Sequence, residues 1–198
     1  MIYAFDFDGT LVDTMPALAR HGIRILESTY GLDYNDASTC YWGSIGISFA
    51  EQLEELFPGD EKNEEAETEF WYAHLETYKK VTEAMPGAKA ALQSLIDRGS
   101  ICWVVTSSPA ALVSAVCARV LPSELKVLGR SVGPKDKQLR LCSADVFFGD
   151  AVRDTLFARK ANVRFIGIGD VPKFYGMGQE AATTLVEGLN LAMQEAVA

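Results

Sequence analysis

Four short apolar runs, most closing on polar or acidic residues and most followed by a helical pattern, leave this chain few architectures. They are Ile2–Phe7, Ile101–Val105, Val146–Phe148 and Arg164–Ile168, with Lys126–Leu128 as a shorter fifth. Runs of this length read as buried strands. Helical patterns occupy Ala88–Asp97, Pro109–Val120, Lys135–Cys142, Ala151–Lys160 and Glu180–Ala196. Strands alternating with helices predict an α/β fold, a parallel sheet with helices on both faces. Sites on such sheets lie outside the carboxyl ends of the strands. The residues that close each run are therefore where chemistry is sought.

One stretch breaks the alternation. Residues 15–82 read as helix throughout, with Ala17–Tyr30 begun by Pro16 and stopped by Gly31, then Ser48–Phe57 and Asp60–Val81. Asn35–Trp42 is left open between helix and loop, and Gly43–Gly46 reads as a loop. The expected organisation is a Rossmann-like core of residues 1–14 and 83–198, with an all-helical domain of residues 15–82 inserted after the first strand. Charge follows the same division. Residues 14–82 carry 13 acidic against 5 basic side chains, whereas the remainder is nearly balanced at 14 against 13. With a net charge of −9 and no basic patch, binding to nucleic acid is not expected. No apolar stretch is long enough to span a bilayer and no signal peptide is evident, so a cytoplasmic protein without a membrane partner is expected. Cys40, Cys102, Cys117 and Cys142 form no C-x-x-C pair, and only His21 and His74 are present. Reduced thiols and no zinc site are expected.

Four strand ends carry groups that chemistry can use. The first, Asp6-Phe7-Asp8-Gly9-Thr10, sets two carboxylates beside a glycine that permits a tight turn. Two close carboxylates resist ionising together, and a hard divalent cation relieves the conflict. The second end is Val104-Val105-Thr106-Ser107-Ser108-Pro109, which delivers hydroxyls and a helix N-terminus suited to phosphate oxygens. The third piece, Gly133-Pro134-Lys135-Asp136-Lys137-Gln138-Leu139, offers Lys135 at the start of a short helix, with Lys137 as its rival. The fourth, Phe148-Gly149-Asp150-Ala151-Val152-Arg153-Asp154, places two acids at i and i+4, which share a helix face. Asp6, Asp8, Asp150 and Asp154 together would repel a phosphate dianion. A divalent cation, one lysine and a protonated Asp8 bring the site close to neutral.

In this order the four pieces resemble the haloacid dehalogenase-like superfamily, in particular its phosphoglycolate-phosphatase-like branch with a small helical cap. The helical insert directly after the first motif and the returning Pro86-Gly87-Ala88 are similar too. The resemblance implies a Mg²⁺-dependent phosphatase acting on a small-molecule phosphate ester. It implies Asp6 as nucleophile, Asp8 as general acid and then base, and Thr106, Ser107 and Lys135 as phosphate-binding groups. The metal set would be Asp6, Asp8 through its backbone carbonyl, Asp150 and Asp154. Two features depart from the family pattern: no Lys-Pro precedes the helix at Lys135, and the spacing from Lys135 to Asp150 is short. Residues 15–82 would be the cap, hinged at residues 13–17 and 80–86. The stretch Trp42–Gly46, with Arg20 or His21, would then face the leaving group, with Arg20, His21 and Ser44 as candidate substrate contacts. Alternatively Trp42, Phe70 and Trp71 simply fill the cap's own core. A monomer or homodimer is expected. Two other readings stand beside hydrolysis. One is phosphotransfer by a mutase or phosphotransferase of the same superfamily. The other is a receiver-like signalling domain, disfavoured because the acceptor acid here follows the first strand.

Overall fold

A computed structural model describes residues 1–194. The first strand, β1 (Ile2–Phe5), leads into four helices: α1 (Met15–Tyr30), α2 (Tyr34–Ser44), α3 (Phe49–Leu56) and α4 (Asn63–Lys79). The chain then runs α5 (Ala88–Asp97), β2 (Ile101–Val105), α6 (Ala110–Val120), β3 (Lys126–Leu128), α7 (Lys135–Cys142), β4 (Val146–Gly149) and α8 (Val152–Ala161). It finishes with β5 (Arg164–Ile168), α9 (Val171–Tyr175), β6 (Glu180–Ala182) and α10 (Leu185–Gln194). Two compact units result among the described residues: 1–13 with 81–194, and 14–80. The boundaries anticipated from sequence lay at 14/15 and 82/83. No helix among the described residues is long and apolar enough to cross a membrane.

The first unit is a six-stranded sheet in the order β3-β2-β1-β4-β5-β6, with every neighbouring pair parallel. This is the Rossmann order, and it reverses between β1 and β4. Register and side-chain alternation explain why both faces are apolar. Phe5, Phe148 and Ile166 lie side by side across β1, β4 and β5, and the rings of Phe5 and Phe148 stack at 5.1 Å. One residue earlier on β4 and β5, Phe147 and Phe165 point to the opposite face, where their rings meet edge to face at 5.8 Å. Helix α10 comes close to the Phe5 side: a methyl group at Gly188 would meet Ile168, Ile166 and Phe148. On the other face Phe174 of α9 packs against Phe165, and Gly167 has no room for a side chain beside it.

Two expectations about the elements change. Glu180–Ala196 does not form one helix. Glu180–Ala182 is an edge strand paired with β5, and helix begins only at Leu185. Glutamate and alanine favour helix, but here pairing with Ile166–Ile168 and a two-pronged ion pair from Arg164 to Glu180 override propensity. Residues 195 and 196 of that expected helix lie outside the described residues. The short helix α9 has no counterpart in the sequence reading.

The second unit packs α1 through α4 around their own core of Leu18, Ile25, Leu26, Tyr41, Phe49, Leu53 and Phe70. Phe70 stacks on Phe49 at 4.1 Å and so belongs to that core, whereas Trp42 is exposed. The open segment 35–42 is helical, and α2 runs on through Ser44, capped at its start by Asp33, whose carboxylate accepts the Asp36 N–H at 2.9 Å. Residues 43 and 44 therefore belong to a helix, not to the expected loop. Ser44, a candidate substrate contact from sequence, is engaged within this unit. Its hydroxyl is buried and bonds within the unit, at 2.7 Å from the Cys40 carbonyl and 3.1 Å from Gln52 Oε1. Gln52 in turn donates to the Ile47 carbonyl. Ser44→Ala strands Gln52 in a buried setting, so it is expected to lower stability by about 1–2 kcal/mol. Urea unfolding of the purified variant measures this, and an unchanged midpoint would remove the structural assignment.

Candidate active site

Each anticipated strand end of the α/β unit holds its polar group in a defined place. Beyond β1 the backbone of Asp6 still donates to the Phe148 carbonyl at 2.7 Å, so the residue is fixed between β1 and β4. The chain then turns: the Phe7 carbonyl accepts from the amides of Leu11 and Val12 at 2.9 and 3.2 Å, and Gly9 adopts a φ of 78°. That left-handed conformation favours glycine, which explains the residue behind the acid pair. Asp8 lies half-buried inside the turn, bridged to Val12. On the neighbouring strand, Thr106 follows β2 in full burial, with Ser107 half-buried beside it. The Thr106 hydroxyl oxygen accepts the Ser108 N–H at 3.0 Å.

The centre of the site is Lys135. Only 2% exposed, its ammonium stands 2.9 Å from Asp6 Oδ1 and 2.8 Å from Asp154 Oδ1. The competing Lys137 is exposed and takes no such position. Asp6 Oδ1 also accepts the Phe7 amide at 2.8 Å, and Asp154 Oδ2 accepts the Ala151 amide at 3.2 Å. The latter bond caps α8 and turns Asp154 back toward the sheet. Glycine is required before it: a methyl group on Gly149 would stand 2.5 Å from Asp154 Oδ2.

Asp6, Asp150 and Asp154 bring one carboxylate oxygen each to within 4.8 Å of one another. Six-coordinate Mg²⁺ holds its oxygens at about 2.1 Å, so no two stand more than about 4.2 Å apart. A trio within 4.8 Å is close to that span, and an all-oxygen donor set matches a hard cation. Electrostatics point the same way. Burial pushes the Asp6 carboxyl up, Lys135 pulls it down, and Asp154 and Asp150 push it up again. Burial and then the charge of Asp154 push Asp150 up to about 7. For Lys135, burial opposes the charge, but Asp154 and Asp6 outweigh it and keep the ammonium charged. When ionised, the buried Asp6 and Asp154 and the half-buried Asp150 outnumber the ammonium groups of Lys135 and Lys173, a negative excess that a divalent cation would offset.

Two residues join the site without having been anticipated. Lys173, from α9 after β5, donates to the Asp150 backbone carbonyl at 2.6 Å. The buried Thr10 donates to Asp150 Oδ1 at 3.4 Å. The rule that placed the other groups applies equally to the carboxyl end of β5, so Asp170-Val171-Pro172-Lys173 carried a usable signal. Arg20 and His21 lie on α1 of the helical unit, the first exposed and the second half-buried.

Comparison with known proteins places this geometry in a family. A model for haloacid dehalogenase-like hydrolases matches residues 3–173. The fold is similar to that of a hydrolase from Pseudomonas syringae, at 19% identity and a TM-score of 0.81 over 98% of both chains. It is also similar to a predicted phosphatase from Clostridium acetobutylicum, at 18% identity and a TM-score of 0.73 over 98% of both chains. CbbY from Rhodobacter sphaeroides, solved in complex with phosphate, matches at 15% identity and a TM-score of 0.63 over 84% of each chain. Among curated proteins none matches by sequence. Identities this low speak for the fold alone. The family match covers the first acid motif, the hydroxyl strand, Lys135 and the Gly-Asp pair together, and on that ground the chain belongs to the haloacid dehalogenase-like hydrolases.

Proposed function

We propose that the chain is a Mg²⁺-dependent phosphatase that hydrolyses a small-molecule phosphomonoester through an aspartyl-phosphate on Asp6. The observation that carries this reading is the clustered trio of buried Asp6 and Asp154 with half-buried Asp150, two of whose members bond Lys135. Asp6, Asp150 and Asp154 would hold the cation, together with the Asp8 backbone carbonyl. When bound, the cation would supply charge neutralisation and orientation of the phosphoryl group.

The steps fall to the chain's own residues. A carboxylate oxygen of Asp6 attacks phosphorus, and the bond from phosphorus to the ester oxygen breaks. Asp8 gives its proton to the departing oxygen, so an alcohol leaves. Water then attacks the aspartyl-phosphate while Asp8 takes its proton. The bond to Asp6 breaks, inorganic phosphate is released, and Asp8 is protonated again. Lys135 fixes the Asp6 carboxylate and offsets charge building on the phosphoryl oxygens, while Thr106 and Ser107 orient them. Lys173 and Thr10 hold Asp150.

The helical unit is read as the cap that closes over the sheet mouth, excludes water and selects the leaving group. Arg20 and His21 are its proposed reading residues. Burial, then the charges of Arg24 and Arg20, hold the His21 imidazole below its usual range. It is therefore neutral near pH 7 and able both to donate and to accept.

Phosphate release from a broad panel of small phosphoesters tests the central reading. Turnover is expected with Mg²⁺, lost with EDTA and restored by Mg²⁺. Asp6→Asn is expected to cost at least about a thousandfold in kcat. Undiminished turnover in that variant would remove Asp6 as nucleophile. Gly149→Ala is expected to displace Asp154 and weaken Mg²⁺ binding by about tenfold or more, measured by calorimetry on folded protein. Arg20→Ala and His21→Ala should each change the ratio of kcat/KM between the two best esters by about tenfold. Ratios unmoved in both would place those residues outside substrate recognition.

A further inference from the structure

The helix that carries Lys135 also carries Gln138, which is fully buried. Every polar atom of its amide is committed. Oε1 accepts the Thr106 N–H at 3.2 Å, and Nε2 donates to the Thr106 carbonyl at 3.0 Å and the Gly133 carbonyl at 2.8 Å. These partners fix the orientation of the amide, since reversing it would set donor against donor and acceptor against two acceptors. Beside β2, the strand β3 ends at Leu128, whose carbonyl shares the Thr106 N–H at 3.2 Å. Beyond that point no strand of the described residues continues alongside Thr106. The glutamine side chain stands in for one, gripping both sides of the Thr106 residue as a neighbouring backbone would.

We infer that Gln138 is a positioning residue for the reaction, tying the Thr106 loop to the Gly133–Lys135 turn so that hydroxyl and ammonium keep a fixed spacing. The inference rests on the phosphatase reading for its purpose, though not for its geometry. Gln138 has no role in the chemistry itself. It acts through Thr106 and through the turn that precedes Lys135. A transferring phosphoryl group needs donors already in place, and small displacements at such distances are costly in rate. One side chain that holds two loops at once supplies that placement. A merely space-filling residue would not need three directed hydrogen bonds.

The test pairs a local structural readout with a ligand readout in the full chain. Gln138→Met keeps length and volume but removes all three bonds. Gln138→Glu keeps the acceptor but turns an oxygen toward two carbonyls. The reporters are the Ser108 amide, bonded to Thr106 Oγ1, and the Gly133 amide, bonded to the Arg130 carbonyl. Val104, inside β2, is the control. In either variant that folds, hydrogen exchange at Ser108 and Gly133 is expected to quicken by about tenfold or more while Val104 stays within about twofold. Inorganic phosphate, titrated with Mg²⁺ present, is expected to bind about tenfold more weakly, with kcat falling by more than KM rises. The inference is overturned if Ser108 and Gly133 exchange at the original rate, or if Val104 quickens equally. If the unaltered protein neither binds phosphate nor hydrolyses any ester, the phosphatase reading fails. The exchange result still decides whether Gln138 holds the two loops.

Discussion

The pair of ion contacts from Lys135 to Asp6 and Asp154 is the constraint around which the α/β unit is arranged. An isolated charge at 2% exposure is untenable, because desolvation costs several kcal/mol per ion. Lys135 is tolerable only where carboxylates from two other segments meet it. Asp6 is delivered by β1 and Asp154 by α8 after β4, and both strands must therefore end at the same level. The parallel register that sets Phe5 beside Phe148 provides this. Removing any one of the three leaves a buried charge without its partner, so the cluster is held by mutual necessity as much as by attraction.

Such an arrangement also accounts for what surrounds it. Gly149 is small because Asp154 folds back over it, and Ala151 offers an amide because that carboxylate needs one. Lys173 adds a second cation at the Asp150 backbone carbonyl. The excess of negative charge that remains is the property that suits a hard divalent ion. On the proposed reading, metal affinity, nucleophile orientation and stability are thus set by overlapping groups, and a substitution aimed at one reaches the others.

Much of this was legible in the sequence because strand ends announce themselves. Asp6, Asp150 and Thr106 each follow an apolar run, and Asp154 is four residues beyond Asp150, so simple periodicity put them at the mouth of the sheet. The choice of Lys135 over Lys137 rests on its first place in α7, where burial and partners were beyond what spacing states. Glu180–Ala182 misled because its composition favours helix while pairing with β5 decides the outcome. Ser44 misled because a glycine-flanked serine reads as loop, though Asp33 caps the preceding helix and carries it through. The contacts of Lys173, Thr10 and Gln138 were not legible for a common reason: their partners are 23, 140 and 32 residues away.

The position of β1 within the sheet has a consequence for how the chain is made. β1 precedes the helical unit in the chain, yet its two neighbours are β2 and β4, with pairings such as Ile2 to Ile101 and Tyr3 to Val146. The helical unit, by contrast, is built from contacts between successive segments and has all its residues before β2 appears. Pairings this distant in sequence form slowly, because loop closure must precede any gain from contact. The acid-bearing first strand therefore waits, unpaired, until most of the chain has left the ribosome. Asp6 is translated before Lys135 and Asp154, yet it reaches its final surroundings only once they are in place.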